Sequence, residues 1–199
     1  MTKLMYSKLM QTINVENIIE HFYRNDFPLR QLLLMHSGQV RDKALAILQN
    51  PACKKMKIST EIVVNGAMLH DIGILHCHAP KIHCHGVHPY IAHGVIGAEM
   101  LREYGKTHKI DFEPYARICE RHTGSGISAA EIKAQNLQLP AQNFLPETIE
   151  EKLICLADKF YSKSGDMQEK SLENIRRSMA KFGPLPLARF AELLRLFGM

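Results

Sequence analysis

The sequence has no run of eighteen apolar residues and no C-x-x-C pair. A membrane-crossing helix needs about 20 consecutive apolar residues, so none is expected. The five cysteines, Cys53, Cys77, Cys84, Cys119 and Cys155, are odd in number and scattered. They suit neither a disulfide framework nor a zinc ribbon and read as reduced thiols at apolar positions. The first residues, MTKLMYSKLMQTINVENII, lack a continuous apolar stretch and a small-residue cleavage site. No signal peptide is read there, and a cytoplasmic protein is expected. The formal net charge is +5, but the lysines and arginines form no basic block. Such a surface accommodates an anionic small substrate, and without a basic stripe bearing interleaved aromatics no nucleic-acid partner is expected. No repeat, low-complexity tract or Gly/Pro-rich linker interrupts the chain, and its 199 residues read as one domain.

Helical periodicity dominates, so the expected fold class is all-α. Asn14 is placed to cap a first helix, and Pro28 sits in the first turn of a second that ends near Asn50-Pro51. Ser59 or Thr60 starts a third, stopping at Gly73, followed by a loop from Ile74 to Pro89. The next helix is read as closing at Gly105. Glu113-Pro114 opens another, Ser128 caps a short one, and Pro146 leads into one ending near Gly165. Two amphipathic segments separated by Gly183-Pro184 finish the chain. The stripe Leu187, Phe190, Leu194 and Phe197 closes the core or pairs with a second subunit, so monomer and homodimer are both open.

Histidine is unusually concentrated. Of eleven, His76, His78, His83, His85, His88 and His93 fall within eighteen positions. Four polar residues also lie on apolar helical stripes. His36 recurs with Leu33, Val40, Ala44 and Ile47, and His70 with Ile62, Val63, Gly66 and Ala67, Asp71 being next to it. Asp158 recurs with Ile154, Ala157 and Tyr161. Carboxylates are rarely buried unless paired or bound to metal. Two inward aspartates with two inward histidines have the composition of a site for a divalent ion. His93, striped with Ile96, Gly97 and Met100, and His122, following Ile118 and Cys119, can face the same interior. The six would hold two ions bridged by Asp71, roughly 3.5–4 Å apart as in two-metal hydrolases.

These residues resemble the HD superfamily of metal-dependent phosphohydrolases, whose pattern is H…HD…D. Here it reads MHSGQV (His36), AMLHDIG (His70, Asp71) and ICLADKF (Asp158), with H-G-V-I-G-A-E-M-L from His93 and R-H-T-G-S-G-I-S from Arg121. The segment LPAQNFLPETIEEKLICLADKF is similar to a small prokaryotic HDIG-type group. The resemblance implies a core of about five helices over residues 28–163, with an N-terminal helix (14–25) and C-terminal helices (167–199) added. His93 and His122 match the two further positions of dinuclear members. Arg121-His122 followed by Gly124-Ser125-Gly126-Ile127 departs from the HD-GYP pattern, which disfavours a cyclic-dinucleotide phosphodiesterase. His-Thr-Gly is close to the HD enzymes that split dinucleoside tetraphosphates.

The implied reaction is attack of a metal-activated water on phosphorus, with a small phosphorylated substrate, a nucleotide first. The cofactor is one or two divalent ions, iron or manganese before zinc, nickel, cobalt or magnesium. Asp71 would be ligand and bridge. Arg121, Lys159 and Lys163 are candidates to neutralise phosphate charge, and His88 to donate a proton to the leaving group. His76, His78, His83 and His85 are read as a loop facing substrate over the pocket, with an accessory zinc site including Cys77 and Cys84 as the alternative. Two other functions share these residues: a di-iron oxygenase, and a non-catalytic module that senses a ligand.

Overall fold

A computed structural model describes residues 13–199; the reading of residues 1–12 as lacking a signal peptide lies outside them. The chain runs α1 (Val15–Tyr23), α2 (Phe27–Leu48), α3 (Thr60–Leu69), a 3-10 turn (Ile72–His76), and strands β1 (Cys77–Ala79), β2 (Cys84–His85) and β3 (His88–Pro89). It continues as α4 (His93–His108), α5 (Glu113–Arg121), α6 (Ala129–Ala134), α7 (Ile149–Asp158), α8 (Leu172–Ala180) and α9 (Pro184–Leu196). The fold is helical with one small sheet, and among the described residues no helix is long and apolar enough to cross a membrane.

Helix starts follow local chemistry. Asn14, Asp26 and Ser59 each accept a hydrogen bond from a backbone N–H in the first turn of α1, α2 and α3. Ser128 and Thr148 form capping boxes with Glu131 and Glu151 at α6 and α7. These side chains satisfy amides that would otherwise lack partners at a helix N-terminus.

Two apolar clusters flank the interior face of α2. One joins Val40, Ala44 and Ile47 to α3, α7, α8 and α9, through Val63, Leu153, Met179 and Phe190 among others. The other joins Leu29 and Leu33 to α1, α4 and α5, through Ile19, Leu101 and Cys119. The stripe on α9 is spent on the first cluster: Phe190, Leu194 and Phe197 are buried and Leu187 packs against them.

Here α3, α4 and the loop between them differ from the sequence reading. α3 stops at Leu69, four residues before Gly73, and the chain tightens into the 3-10 turn. Gly73 then lies against the backbone of α4, where a Cβ would collide with the His93 carbonyl and the Gly97 amide. Its lack of a side chain serves close approach, not helix termination. Gly105 is used the same way: it stays inside α4 against the Ile110 carbonyl, and the helix ends at Lys109, whose φ of 57° is left-handed. The loop after the third helix contains a sheet of order β2-β1-β3, β1 antiparallel to β2 and parallel to β3. Its strands are two or three residues long, too short for alternation to show in the sequence.

Candidate metal centre

Five helices, α2, α3, α4, α5 and α7, contribute to one buried cluster. α2 supplies His36 from its interior face. The end of α3 supplies His70 and then Asp71, where the backbone leaves the helix (φ −106°, ψ 10°) and turns the carboxylate inward. α4 begins with His93, α5 is capped by His122, and α7 ends on Asp158. All six are buried, Asp158 the least at 9% exposed.

They divide into two groups that share Asp71. His36, His70, Asp71 and Asp158 each turn a potential ligand atom to one point; Asp71, His93 and His122 do so at a second. The carboxylate of Asp71 spans both. Its Oδ2 lies 3.2 Å from His36 Nε2 and 2.9 Å from His70 Nε2, and its Oδ1 lies 3.3 Å from His93 Nε2 and 3.4 Å from His122 Nε2. Asp158 Oδ1 is 3.0 Å from His36 Nε2 and 3.6 Å from His70 Nε2.

Backbone carbonyls fix three of the rings. His70, His93 and His122 donate from Nδ1 to the carbonyls of Ala67, Tyr90 and Cys119, at 2.6, 2.6 and 2.7 Å. A carbonyl only accepts, so each Nδ1 carries the proton. In the neutral ring Nε2 is then a lone pair, which is the tautomer that a metal-binding imidazole needs.

The polar atoms of the centre fit a cation. Asp71 Oδ1 and His70 Nε2 are buried without a hydrogen-bond partner, while Asp71 Oδ2 is ion-paired with Lys163. Buried polar groups are rarely left so, and the donor set of four imidazoles and two carboxylates is one that divalent ions bind.

The charges agree. Burial opposes ionisation of Asp71, yet His70 and Lys163 hold its carboxyl well below the usual carboxylate range. Burial likewise opposes ionisation of Asp158, and Lys159 and His36 reverse it. His70, which burial would lower, is raised to about 9 by Asp71 and Asp158, so a cation bound at its Nε2 would take the place of a proton. His122 is lowered to about 4, chiefly by burial.

The lysines named from sequence both reach the centre. α7 ends at Asp158 instead of continuing to Gly165, and the chain bends so that Lys163 Nζ lies 2.5 Å from Asp71 Oδ2. Lys159 Nζ lies 2.8 Å from Asp158 Oδ2 and donates to the His122 carbonyl at 3.4 Å. Arg121 is not brought there. Its guanidinium donates to the Leu145 carbonyl at 2.8 Å and pairs with Glu147 and Glu120, so it fastens the loop before α7. His88 is exposed on β3 and is not one of the clustered residues. The Cys–His zinc site is corrected: Cys77 and Cys84 are buried with their thiols donating to the Gly73 and Ile82 carbonyls, whereas His76, His78, His83 and His85 face solvent.

Sequence reasoning missed Tyr90. Its ring stacks on His93 (centroids 4.8 Å apart, 25° between planes), and Lys163 Nζ lies 6.0 Å from the ring centroid. Next to a loop, Tyr90 reads as no more than the entrance to a helix. Elsewhere Ile91, Thr123, Ile127, Leu137, Met179 and Pro186 help line a mostly apolar hollow of about 160 Å³, to which none of the six clustered residues contributes.

The HD-domain pattern matches residues 33–162, a span that begins just before His36 and ends just after Asp158. The chain belongs to the HD-domain family. An uncharacterised protein of Methanocaldococcus jannaschii is 36% identical over 150 residues, covering 75% of this HD chain and 69% of that protein. Two tRNA (cytidine(56)-2'-O)-methyltransferases are similar over part of their length. That of Thermoplasma volcanium is 35% identical, covering 65% of this chain, and that of Picrophilus torridus 34%, covering 66%; the HD chain spans 32% of each. Among solved structures, the HD domain of the L. monocytogenes phosphodiesterase PgpH is similar, with 17% identity and a TM-score of 0.46 over 87% of this chain and 97% of that one.

Proposed function

We propose that this HD-domain chain is a metal-dependent phosphohydrolase with a dinuclear centre, acting on a nucleotide or another small phosphate ester. The observation that carries the reading is the shared carboxylate of Asp71, one oxygen at each of two donor groups. His36, His70 and Asp158 with Asp71 would hold one divalent ion, and His93 and His122 with Asp71 the other. A nitrogen and oxygen donor set without thiolate suits iron or manganese first, and also zinc, nickel, cobalt or magnesium. Bound there, such ions supply an acidified water and polarise a phosphoryl oxygen.

The chain's own residues do the rest. The Ala67, Tyr90 and Cys119 carbonyls hold three imidazoles with Nε2 aimed inward. Lys159 and Lys163 place two ammonium groups at the rim, where charge builds on phosphoryl oxygens as the ester bond breaks. Lys163 is held charged: burial would lower its pKa, but Asp71 raises it above the ordinary lysine value.

The test is metal content per chain alongside phosphate release, measured on protein purified without chelators. The panel starts with dinucleoside polyphosphates and continues with nucleoside monophosphates. Cytidine nucleotides belong in it, given the names of the two methyltransferase relatives. About two ions per chain and phosphate release, both abolished by Asp71→Ala, are expected. Turnover that needs dioxygen and releases no phosphate would instead make the centre a di-iron oxygenase. Failure to retain any ion after reconstitution would leave a ligand-sensing module.

A further inference from the structure

The histidines left outside the centre are arranged, not scattered. Residues 74–92 contain no Asp or Glu, so the five histidines His76, His78, His83, His85 and His88 have no carboxylate within the segment to pair with. Burial alternates along the sheet: Cys77 and Cys84 point in, His78 and His85 point out. In the register of β1 and β2, His78 is the direct partner of His85. Residues opposite one another on an antiparallel pair have Cβ atoms about 4.5–5.5 Å apart. Two imidazoles at that separation reach one ion at the usual metal–nitrogen length of about 2.0–2.1 Å. His76, exposed as well, ends the 3-10 turn just before β1.

The frame under the pair is fixed. Gly86 N–H donates to the Cys77 carbonyl at 2.8 Å, and Val87 N–H to the His76 carbonyl at 3.0 Å, so backbone pairing extends beyond the strands themselves. The inward thiols anchor it: both are buried, donate to the Gly73 and Ile82 carbonyls, and are pushed up to about 11 by burial.

We propose that His78 and His85 form a second, surface site for a divalent transition ion of the copper, nickel and zinc class, with water completing the shell. Imidazole favours those ions over magnesium or calcium, and copper binds tightest in the divalent series. The site is separate from the buried centre in its ligands. It is nonetheless tied to that centre by the chain, because β3 runs directly into Tyr90, which stacks on His93.

The experiment titrates Ni²⁺ or Zn²⁺ into the metal-loaded protein while following the histidine ring signals by NMR. His78 and His85 are expected to respond together and to saturate at one added ion per chain. His78→Ala should weaken binding roughly tenfold or more, at least what loss of a supporting contact does at a metal site, and should abolish the response of His85. His85→Gln gives the reciprocal result. His83→Asn, off the pair at a left-handed position that asparagine tolerates, should leave the affinity within about twofold, well inside one tenfold step of 1.4 kcal/mol. Independent responses of His78 and His85, or unchanged affinity in His78→Ala, overturn the proposal. Phosphate release enters none of these readouts, so the result stands apart from the hydrolase reading.

Discussion

His93 Nε2 stands 3.0 Å from His122 Nε2. Each ring spends its Nδ1 proton on a backbone carbonyl, so the two facing atoms are lone pairs in the neutral rings. Two lone pairs at that distance repel unless a proton or a metal ion lies between them. Removing one ring should therefore empty one half of the centre only. We expect His93→Ala to retain about one ion on His36, His70, Asp71 and Asp158, and to lose more activity than the 10–100-fold typical of a supporting contact. Metal analysis of the variant decides it; retention of two ions would place the second ion elsewhere.

Chelation should lower thermal stability. Ions that bind the folded chain at about 100 times their dissociation constant contribute roughly 2.7 kcal/mol. At about 2–4 °C per kcal/mol for a chain of this size, stripping them should lower Tm by roughly 5–11 °C for each ion lost. Adding the ion back should restore it. A Tm indifferent to both treatments would mean the cluster holds no ion in solution.

Gly94 lies where a Cβ would meet the Cys119 carbonyl, the same carbonyl that orients His122. Gly94→Ala should cost about 1–3 kcal/mol as overpacking between α4 and α5. It should also lower the ion content of the His93–His122 half. Gly38→Ala, at a helical glycine with open space around its Cβ, is the control that should do neither.

Lys163→Gln removes the ammonium beside Asp71 and leaves an uncharged polar side chain one atom shorter. We expect metal content to be retained while kcat falls roughly 10²–10³-fold, as on loss of one group that stabilises transition-state charge. A rise in KM at unchanged kcat would assign Lys163 to ground-state binding instead.

Glu131 ties α6 to α9: Arg189 donates to its two oxygens at 2.7 and 2.9 Å. Burial would raise the Glu131 pKa, but Arg189 and Ser128 bring it below the ordinary glutamate value. The stabilisation is therefore complete above the unfolded value of about 4.3 and is lost as pH falls through the folded one. Glu131→Gln should cost roughly 1.5–3 kcal/mol at pH 7, the range for a hydrogen bond to a charged group. The Tm difference from the parent should shrink as pH drops below 4; a constant difference would show that the charge of Glu131 contributes nothing.

The cluster was legible because a buried aspartate or histidine contradicts the stripe it lies on. His36, His70 and Asp158 each break an apolar period, and His93 and His122 fall at positions the family pattern supplies. What the sequence hid is set by contacts between distant backbones. Gly73 and Gly105 read as helix stops because glycine commonly ends helices, whereas here each admits another stretch of main chain. Arg121 looked free to meet phosphate because its partners Leu145 and Glu147 lie more than twenty residues away. The pairing of His78 with His85 depends on a register that seven residues of sequence do not encode, and Tyr90 matters only because of where α4 begins.

The contact of Gly73 with the His93 carbonyl and the Gly97 amide is main chain on main chain. It joins the turn that follows Asp71 to the helix that presents His93. Side chains adjust by rotating, but two backbones in contact do not, so the centre behaves as a gauge of fixed width. Pairs of ions would be accepted or refused by how far apart they settle, and a larger residue at position 73 would widen the gauge rather than remove a ligand.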